Sequence, residues 1–363
     1  MTAAVLLGFG IYLLISARTR SQIFVHKGRF LFLAFTLYTV FVALFHKNYL
    51  GIGCSVAFFL IIVISYYARS VMTERIFEKG LDICCYMAIP VTVFAVIEKL
   101  MNSADEAYRC KLWFFNENYF CSIMAAVILA CAFKATSHKK SNVFIYYVCA
   151  LFAAVSMYLG ESLFAFVELF MGIFMLLILT KKHGLLAFFI LMITVSIIVL
   201  YLVPEIMPRL SETNITSERR VRIWNEAMQF IRENPLFGRG FLSYHQLTKG
   251  VPGLYHTQHA HNFALEGLIS FGLIGSTLVI MFLWSYYQKV SECKELLTSN
   301  CATTFILTLS SAVLVHMTTD MTILWIQTGL LYGLILGGLG ADERALDKKI
   351  SSLSEANKIS SEE

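Results

Sequence analysis

Long apolar runs with almost no charged residues recur along nearly the whole chain. Most are close to the length of about 20 residues that an α-helix needs to cross a membrane. Composition agrees, because 58% of the 363 residues are hydrophobic and 15% are charged, whereas soluble domains average about 45–50% and about 25%. Since lipid cannot pair with exposed backbone groups, such runs predict helices. The chain is therefore predicted to be an all-α integral membrane protein.

Eleven apolar segments are candidate spans, and a first helix missed by hydropathy would bring the predicted bundle to about 11–12 transmembrane helices. The segments cover residues 2–17, 30–45, 50–68, 80–100, 119–133, 143–160, 162–180, 184–203, 263–287, 301–319 and 321–340. Lys and Arg concentrate in alternate loops, which is typical of loops that face the cytoplasm. The alternation predicts an outside N-terminus, a cytoplasmic C-terminus and one large extracytoplasmic loop.

The spans divide the chain into four parts. They are helices 1–8 in residues 1–203, an extracytoplasmic catalytic and substrate loop at 204–262, helices 9–11 in 263–340, and a tail at 341–363. The tail is charged and rich in serine, which predicts a disordered cytoplasmic extension. The nine cysteines form no CxxC pair, so we expect free thiols. The net charge of +5 follows from the topology, and no nucleic-acid partner is expected.

The long loop contains a predicted amphipathic helix at 218–233, capped by Ser217 and stopped by Pro235. Its apolar positions recur every three or four residues, which gives one apolar face. They are Val221, Trp224, Met228 and Ile231. A helix of this kind beside a membrane bundle is expected to lie at the interface or on top of the bundle.

Three arginines lie within four residues at the start of this helix: Arg219, Arg220 and Arg222. The guanidinium group is planar and matches phosphate oxygens, so the cluster predicts an anion-binding site. Contact with the lipid headgroups of the outer leaflet is the alternative. The following "NPLFGRGF" lacks the strand–turn–helix context of a dinucleotide loop. Gly238 and Gly240, which flank Arg239, are instead predicted to form a tight turn.

Three histidines crowd the end of the loop, immediately before an apolar run: His256, His259 and His261. Imidazole titrates near neutral pH and suits a general base. His261 stands where loop becomes helix, so its direction is fixed while water can still reach it. A zinc site that also uses His245 is a minority alternative, because no coordinating cysteine or carboxylate lies near in sequence. The third interpretation is that these histidines lie at the membrane interface and have no functional role.

Ionisable groups inside membrane spans are functional candidates by default. Glu168 lies well inside a span, and Glu266 lies in the first turns of the helix that follows His261. His316 and Asp320 stand one turn apart at the same predicted side of the membrane. Glu161 and Asp320 are interpreted as solvated helix ends, whereas Glu168 is retained as a functional candidate.

Two segments together resemble the O-antigen ligase and polymerase superfamily of bacterial membranes. They are "RVRIWNEAMQFIRENPLFGRG" and "HAHNFALEGLISFGLIG". The pattern is an Arg four residues before a Trp, an "NPL-G-G" turn, and "HN" opening a helix that carries "GLIG". Here these are Arg220, Trp224, Asn234-Pro235-Leu236, Gly238, Gly240, His261-Asn262 and Gly272 to Gly275. The stretch "FFNENYF" at 114–120 also resembles an Asn-bearing segment of that family.

The resemblance implies an inverting glycosyl transfer without metal or other cofactor. The donor would be a polyprenyl-diphosphate-linked oligosaccharide at the outer face of the bacterial cytoplasmic membrane. It implies that Arg220 contacts the diphosphate, with Arg222 and Arg219 as further ligands, and that His261 acts on the acceptor. The supporting residues are Trp224, Asn262, Glu266, Gly238, Gly240, Arg239, His259 and Glu168. Chemistry agrees, because cations can neutralise a diphosphate leaving group.

The chain departs from the family pattern in one place. Members usually carry a Ser/Thr-Arg pair about fifty residues before the loop, but the comparable place here is Glu161-Ser162. Arg109 or Arg222 could replace the missing arginine.

The favoured function is a polymerase of O-antigen or capsule repeat units, with a flippase and a chain-length regulator as possible partners. A ligase that moves finished glycan to a lipid A core, protein or wall acceptor is the alternative. A lipid-linked saccharide transporter or flippase is disfavoured, because the chain shows no internal repeat.

Overall fold

The computed structural model describes residues 2–26, 28–105, 107–114, 116–137, 143–203, 213–293 and 301–362. Within these ranges every regular element is helical, which confirms the predicted all-α membrane fold. The helices are α1 (Thr2–Ile15), α2 (Ala17–Ile23), α3 (Arg29–Phe45), α4 (Tyr49–Val71), α5 (Glu74–Tyr86), α6 (Ala88–Met101), α7 (Glu117–Ser137), α8 (Val143–Gly160), α9 (Leu163–Leu179), α10 (His183–Leu202), α11 (Thr213–Glu233), α12 (Ser243–Thr248), α13 (Phe263–Glu292), α14 (Ala302–His316), α15 (Ile326–Leu336) and α16 (Leu339–Glu362).

In the described part of the chain, six stretches are long and apolar enough to cross a membrane, and α1–α2 would make a seventh. The six are α4, the α5–α6 pair, α7, α8, α10 and α13. Three further apolar helices, α3, α9 and α14, are shorter. This is fewer full-length spans than the predicted 11–12, because an apolar run need not be one straight helix. Between α1 and α2 the axis bends by 97°, and residues 321–340 are divided between a 3-10 turn, the 11-residue α15 and the start of α16.

The centre of the bundle is α7, which packs against α8, α9 and α14. Its spanning window is 72% buried, whereas none of the residues of α10 is buried. The nine cysteines are all free, as predicted. The start of α7, the start of α9 and the end of α14 meet at one end of the bundle, where α11 also lies.

At the other end of the bundle, α16 stands where the composition predicts a disordered tail. Its first turns are held by charged groups that satisfy the ends of two other helices. The Asp342 carboxylate accepts from the backbone N–H of Ala302 at 3.1 Å and also from that of Thr303. Arg344 donates to the Ser70 carbonyl at 3.0 Å, at the end of α4. Composition alone does not reveal these partners, because they lie far away in sequence.

Helix α13 is broken at Gly272, where φ is 60° and ψ is −168°. Backbone groups on both sides of the break pair with the loop that follows α11. Leu273 N–H donates to the Pro235 carbonyl at 2.9 Å, and Gly240 N–H donates to the Ser270 carbonyl at 2.7 Å. The loop therefore satisfies groups that the break releases, as any backbone in a membrane protein requires.

Candidate active site

The helix predicted at 218–233 is present as α11 but begins earlier, at Thr213. Its buried apolar face is formed by Ile223 and Ala227, while Val221 and Met228 are exposed. The predicted apolar face was therefore wrong in part. Burial is decided by what packs against the helix, and here this includes Tyr244, Ala260 and Ile269.

The position of α11 is fixed by Glu226, a buried carboxylate that the sequence did not single out. It accepts hydrogen bonds from the Tyr244 hydroxyl at 2.7 Å and from the Tyr255 backbone N–H at 3.1 Å. Because both donors belong to the segment after α11, Glu226 ties the helix to the loop that carries the histidines.

The three arginines predicted to grip one anion do not converge. Residues two apart on an α-helix differ by about 200°, so Arg220 and Arg222 lie on nearly opposite faces. Arg222 pairs with Glu226 at 3.2 Å and donates to the Gly253 carbonyl, and Arg219 is exposed. The Arg220 guanidinium lies over the Phe164 ring, 4.6 Å from its centroid, at the start of α9.

The histidines also separate. His256 turns towards α12, where its Nδ1 lies 3.1 Å from the Thr248 hydroxyl and its ring lies over His245. His259 and His261 lie together, with ring centroids 4.4 Å apart. Both face Asp320, a residue that the sequence analysis interpreted as a solvated helix end.

Asp320 is 1% exposed and lies at the centre of the site. Its Oδ2 accepts from the Asn118 amide at 2.9 Å, and its Oδ1 accepts from the Met321 backbone N–H at 2.7 Å. Burial raises the pKa of Asp320, but the imidazoles of His259, His261 and His316 and the Asn118 amide together hold it below its usual range. The carboxylate is therefore ionised at neutral pH.

His259 has one tautomer that fits its contacts. Its Nδ1 accepts from the backbone N–H of His261 at 3.2 Å, so the proton of the neutral ring is on Nε2. That Nε2 lies 3.1 Å from the Tyr119 hydroxyl and 3.4 Å from Asp320 Oδ1. Burial lowers the pKa of His259 to about 4.

The atoms of His259, His261 and Asp320 that could hold a cation lie within 4.8 Å of one another. They do not suit a metal, because a metal on His259 Nε2 would require the ring proton on Nδ1. The backbone N–H of His261 already points at that Nδ1. His256, the further ligand considered from the sequence, lies with α12 instead.

His261 is held in a strained backbone conformation, with φ at 50°. Such outliers cost about 1–3 kcal/mol and cluster at functional sites. Its Nδ1 lies 3.8 Å from Asp320 Oδ1 and its Nε2 lies 3.2 Å from the Thr257 hydroxyl. Burial lowers the pKa of His261, Asp320 acts in the opposite direction, and Arg220 lowers it further. The neutral ring can therefore accept a proton.

Asn262 and Glu266 fix the entry of α13. The Asn262 side chain caps the helix by accepting from the Ala264 N–H at 3.0 Å, and it donates to the Thr318 carbonyl at 3.1 Å. The buried Glu266 accepts from the Ala260 N–H at 2.8 Å. Together they fix the backbone on both sides of His261.

The predicted turn at Gly238 and Gly240 is present, since both residues have positive φ. A Cβ on Gly238 would lie 2.5 Å from the Gly272 nitrogen, so the turn and the break in α13 require each other. Arg239 lies between the two glycines and pairs with Glu233 at 2.9 Å. These residues shape the loop and do not reach the Asp320 cluster.

Two supporting candidates, Glu168 and Trp224, have their contacts outside the Asp320 cluster. Glu168 is fully buried in α9 and accepts from the Ser122 hydroxyl at 2.9 Å. Trp224 belongs to the buried cluster beneath α11, and its Nε1 has no hydrogen-bond partner among the described residues.

The contacts that the "FFNENYF" stretch makes with the site were not predicted from the sequence. Asn118 and Tyr119 are its two residues that reach Asp320, about 200 positions later in the chain. Arg109 donates from Nε to the Gly160 carbonyl at 3.1 Å and from Nη2 to the Asn118 side chain at 3.3 Å. An arginine thus lies at the corner where the family's Ser/Thr-Arg pair is missing.

The fold and the cluster define a multi-pass helical membrane protein with a cation, imidazoles and a carboxylate gathered at one end of its bundle. Residues 145–280 match the family described as O-Antigen ligase, which confirms the resemblance to the O-antigen ligase and polymerase superfamily. No curated protein matches the chain. At family level, the match supports a membrane glycosyltransferase of O-antigen ligase or polymerase type that acts on lipid-linked glycans.

Proposed function

We propose that this protein polymerises surface polysaccharide repeat units, such as those of O-antigen or capsule, from a polyprenyl-diphosphate-linked donor. The acceptor hydroxyl attacks the anomeric carbon on the face opposite the diphosphate, and the carbon–oxygen bond to the diphosphate breaks. The hydroxyl proton passes to His261, and the bonding electrons leave with the diphosphate. Transfer is inverting and independent of metal.

The observation that carries the proposal is the buried carboxylate of Asp320 behind His261. A carboxylate near one nitrogen of an imidazole orients the ring and stabilises the imidazolium that forms when the other nitrogen takes a proton. Here Nδ1 faces Asp320, which leaves Nε2 to act as the base. The Thr257 hydroxyl lies beside that Nε2. We propose that the acceptor hydroxyl binds at the same position, within reach of the base.

Arg220 supplies the positive charge for the leaving group. Preorganised cations stabilise the transition state most strongly where negative charge develops in a site that excludes water. The guanidinium is held over Phe164 and is close enough to His261 to act on the pKa of that ring. Base and diphosphate ligand therefore belong to one site, which we place at the outer face of the cytoplasmic membrane.

The test uses purified protein, a lipid-linked repeat-unit donor and a gel that resolves glycan chain length. We expect Arg220→Gln and His261→Gln to lose polymer by at least about a hundredfold, which is the usual contribution of general base catalysis or of a charge-stabilising donor. The matched control is His256→Gln, which changes a histidine of the same loop outside the cluster. The protein level in the membrane is measured for each variant.

The outcomes separate the possibilities. The polymerase is supported if the wild type gives a ladder of chain lengths, the His256→Gln control retains it, and both site variants lose it. A single product on a lipid acceptor would instead indicate a ligase with the same site. Wild-type ladders from Arg220→Gln and His261→Gln would refute the assignment of the site.

A further inference from the structure

Below the Asp320 cluster lies a second pair of ionisable groups that the proposed reaction does not use. Glu168 of α9 and His316 of α14 are both fully buried, and Glu168 Oε2 lies 3.8 Å from His316 Nδ1. Ser122 of α7 donates to the other carboxyl oxygen. Glu168 Oε2 and His316 Nε2 have no hydrogen-bond partner among the described residues.

Burying ionisable groups that are not fully hydrogen-bonded costs free energy, and the cost depends on their protonation state. Glu168 and His316 are therefore most stable in one particular protonation state. Two opposite charges in an apolar interior each lose several kcal/mol of hydration. A neutral carboxylic acid beside a neutral imidazole avoids this cost. The Thr322 hydroxyl bonds the same Nδ1 and can donate or accept. It therefore suits either protonation state of the ring.

The other charges around His316 belong to the proposed site. Arg220 and Asp320 both act electrostatically on this ring, and Asp320 N–H donates to the His316 carbonyl at 3.1 Å. Among the described residues, the groups facing the imidazole are thus Glu168, Asp320, Arg220 and the neutral Thr322. A bound diphosphate would add negative charge to this region.

We propose that His316 is a second ligand for the diphosphate and that Glu168 supplies its positive charge by giving up a proton when the anion binds. Glu168 Oε2 and His316 Nδ1 close their separation of 3.8 Å to hydrogen-bond distance, and the proton moves from the oxygen to the nitrogen. This leaves a carboxylate and an imidazolium. No proton enters or leaves the protein in this step. The imidazolium Nε2–H then donates to a phosphate oxygen.

This inference rests on the proposed function, and it gives the diphosphate a second cationic ligand beside Arg220. Arg222 and Arg219 point elsewhere, whereas breaking the sugar–phosphate bond adds negative charge to the diphosphate. A charge created only when the anion is present avoids the cost of burying an unpaired cation in the free protein.

The experiment measures binding of inorganic pyrophosphate to the full-length protein in detergent by titration calorimetry. We expect Glu168→Gln and His316→Gln each to weaken binding about tenfold to a hundredfold, since hydrogen bonds to charged groups are worth about that much. The matched control is Ser156→Ala, which removes a buried hydroxyl bonded to Thr92 elsewhere in the bundle. It should bind as the wild type does.

Repeating the titration in buffers of different ionisation enthalpy counts protons. The wild type should bind without net proton uptake, because the proton is internal. The residual binding of Glu168→Gln should take up a proton from the buffer, because His316 must then be charged from solution. Loss of packing would not produce this change.

Two results would overturn the inference: wild-type affinity in both variants, or uptake of a full proton by the wild-type protein. The second can be read even if a variant fails to fold. Arg220→Gln tests the proposed function separately, because it removes the diphosphate ligand but leaves Glu168 and His316 in place. If it binds pyrophosphate as the wild type does, the assignment of the leaving-group site itself fails.

Discussion

Replacing Gly272 by alanine should disconnect the loop after α11 from the broken helix α13. A Cβ at this position would lie 2.3 Å from the Leu236 carbonyl oxygen and 2.6 Å from the Gly238 nitrogen. Both obstacles are backbone atoms, so no side-chain rotation relieves the clash. The loop has to move away from α13 or the break has to close.

The magnitude follows from what is lost. The Gly272 conformation, with φ at 60° and ψ at −168°, is essentially confined to glycine and costs a residue with a Cβ about 1–3 kcal/mol. Separation of the loop also breaks hydrogen bonds such as those of Leu273 N–H, Ile274 N–H and Gly240 N–H, each worth about 0.5–1.5 kcal/mol net. The total is about 3–7 kcal/mol, a large share of the 5–15 kcal/mol typical of a folded protein.

Thermal unfolding of the purified protein in detergent tests this reasoning. At about 2 °C per kcal/mol, the Tm of Gly272→Ala should fall by at least about 6 °C. The control is Gly267→Ala in the same helix, where the nearest atom to a new Cβ is Ser276 Oγ at 4.0 Å. Alanine there should be neutral or stabilising, because glycine is unfavourable in a helix by about 0.5–1 kcal/mol. Equal Tm values for the two variants would refute the claim that the loop after α11 and the break at Gly272 depend on each other.

Three further outcomes are expected. Asp320→Asn should lower kcat at least about a hundredfold while protein level is unchanged, because the His261 imidazolium loses its counter-charge; unchanged turnover would contradict this role of Asp320. The acid limb of kcat/KM should lie below pH 6.5, because the base is a histidine whose pKa is lowered; a limb above pH 6.5 would exclude it. His259, with its pKa lowered to about 4, contributes stability that is complete above pH 6.5 and is lost as pH falls towards 4, because the unfolded chain binds the proton first. Wild-type Tm should fall through that window by an amount equivalent to up to about 3 kcal/mol, and His259→Gln should show a smaller fall.

The parts of the site that the sequence predicted are those governed by local chemistry. The helix that begins after His261-Asn262 and the turn at Gly238 and Gly240 each follow from a few adjacent residues. The grouping of Arg219 and Arg222 with Arg220 was wrong, although helical geometry was available to separate them. Residues adjacent in sequence on a helix need not point to the same place.

Other features depend on contacts between distant parts of the chain. Asp320 has the sequence context of a helix end beside water, and only the packing of α7 and the histidine loop against it makes it a buried central carboxylate. The tail was predicted to be disordered because its composition is polar. The partners that order its first turns, at the ends of α4 and α14, have no local signature.

Helix α10 has a mean hydropathy of 2.9 and no buried residue, so little in the bundle depends on its particular side chains. The contribution of α10 to the bundle is one additional membrane crossing. Helix α9 begins beside the site, at Phe164, and ends on the other side of the membrane. One more crossing is therefore required to bring α11 back to the side of the site. Almost any apolar sequence of the same length should serve as this crossing, and scrambling residues 183–202 should leave the site intact. Deleting them would deliver Arg220 and His261 together to the opposite side of the membrane from Asn118 and Phe164, with every residue of the site still present in the chain.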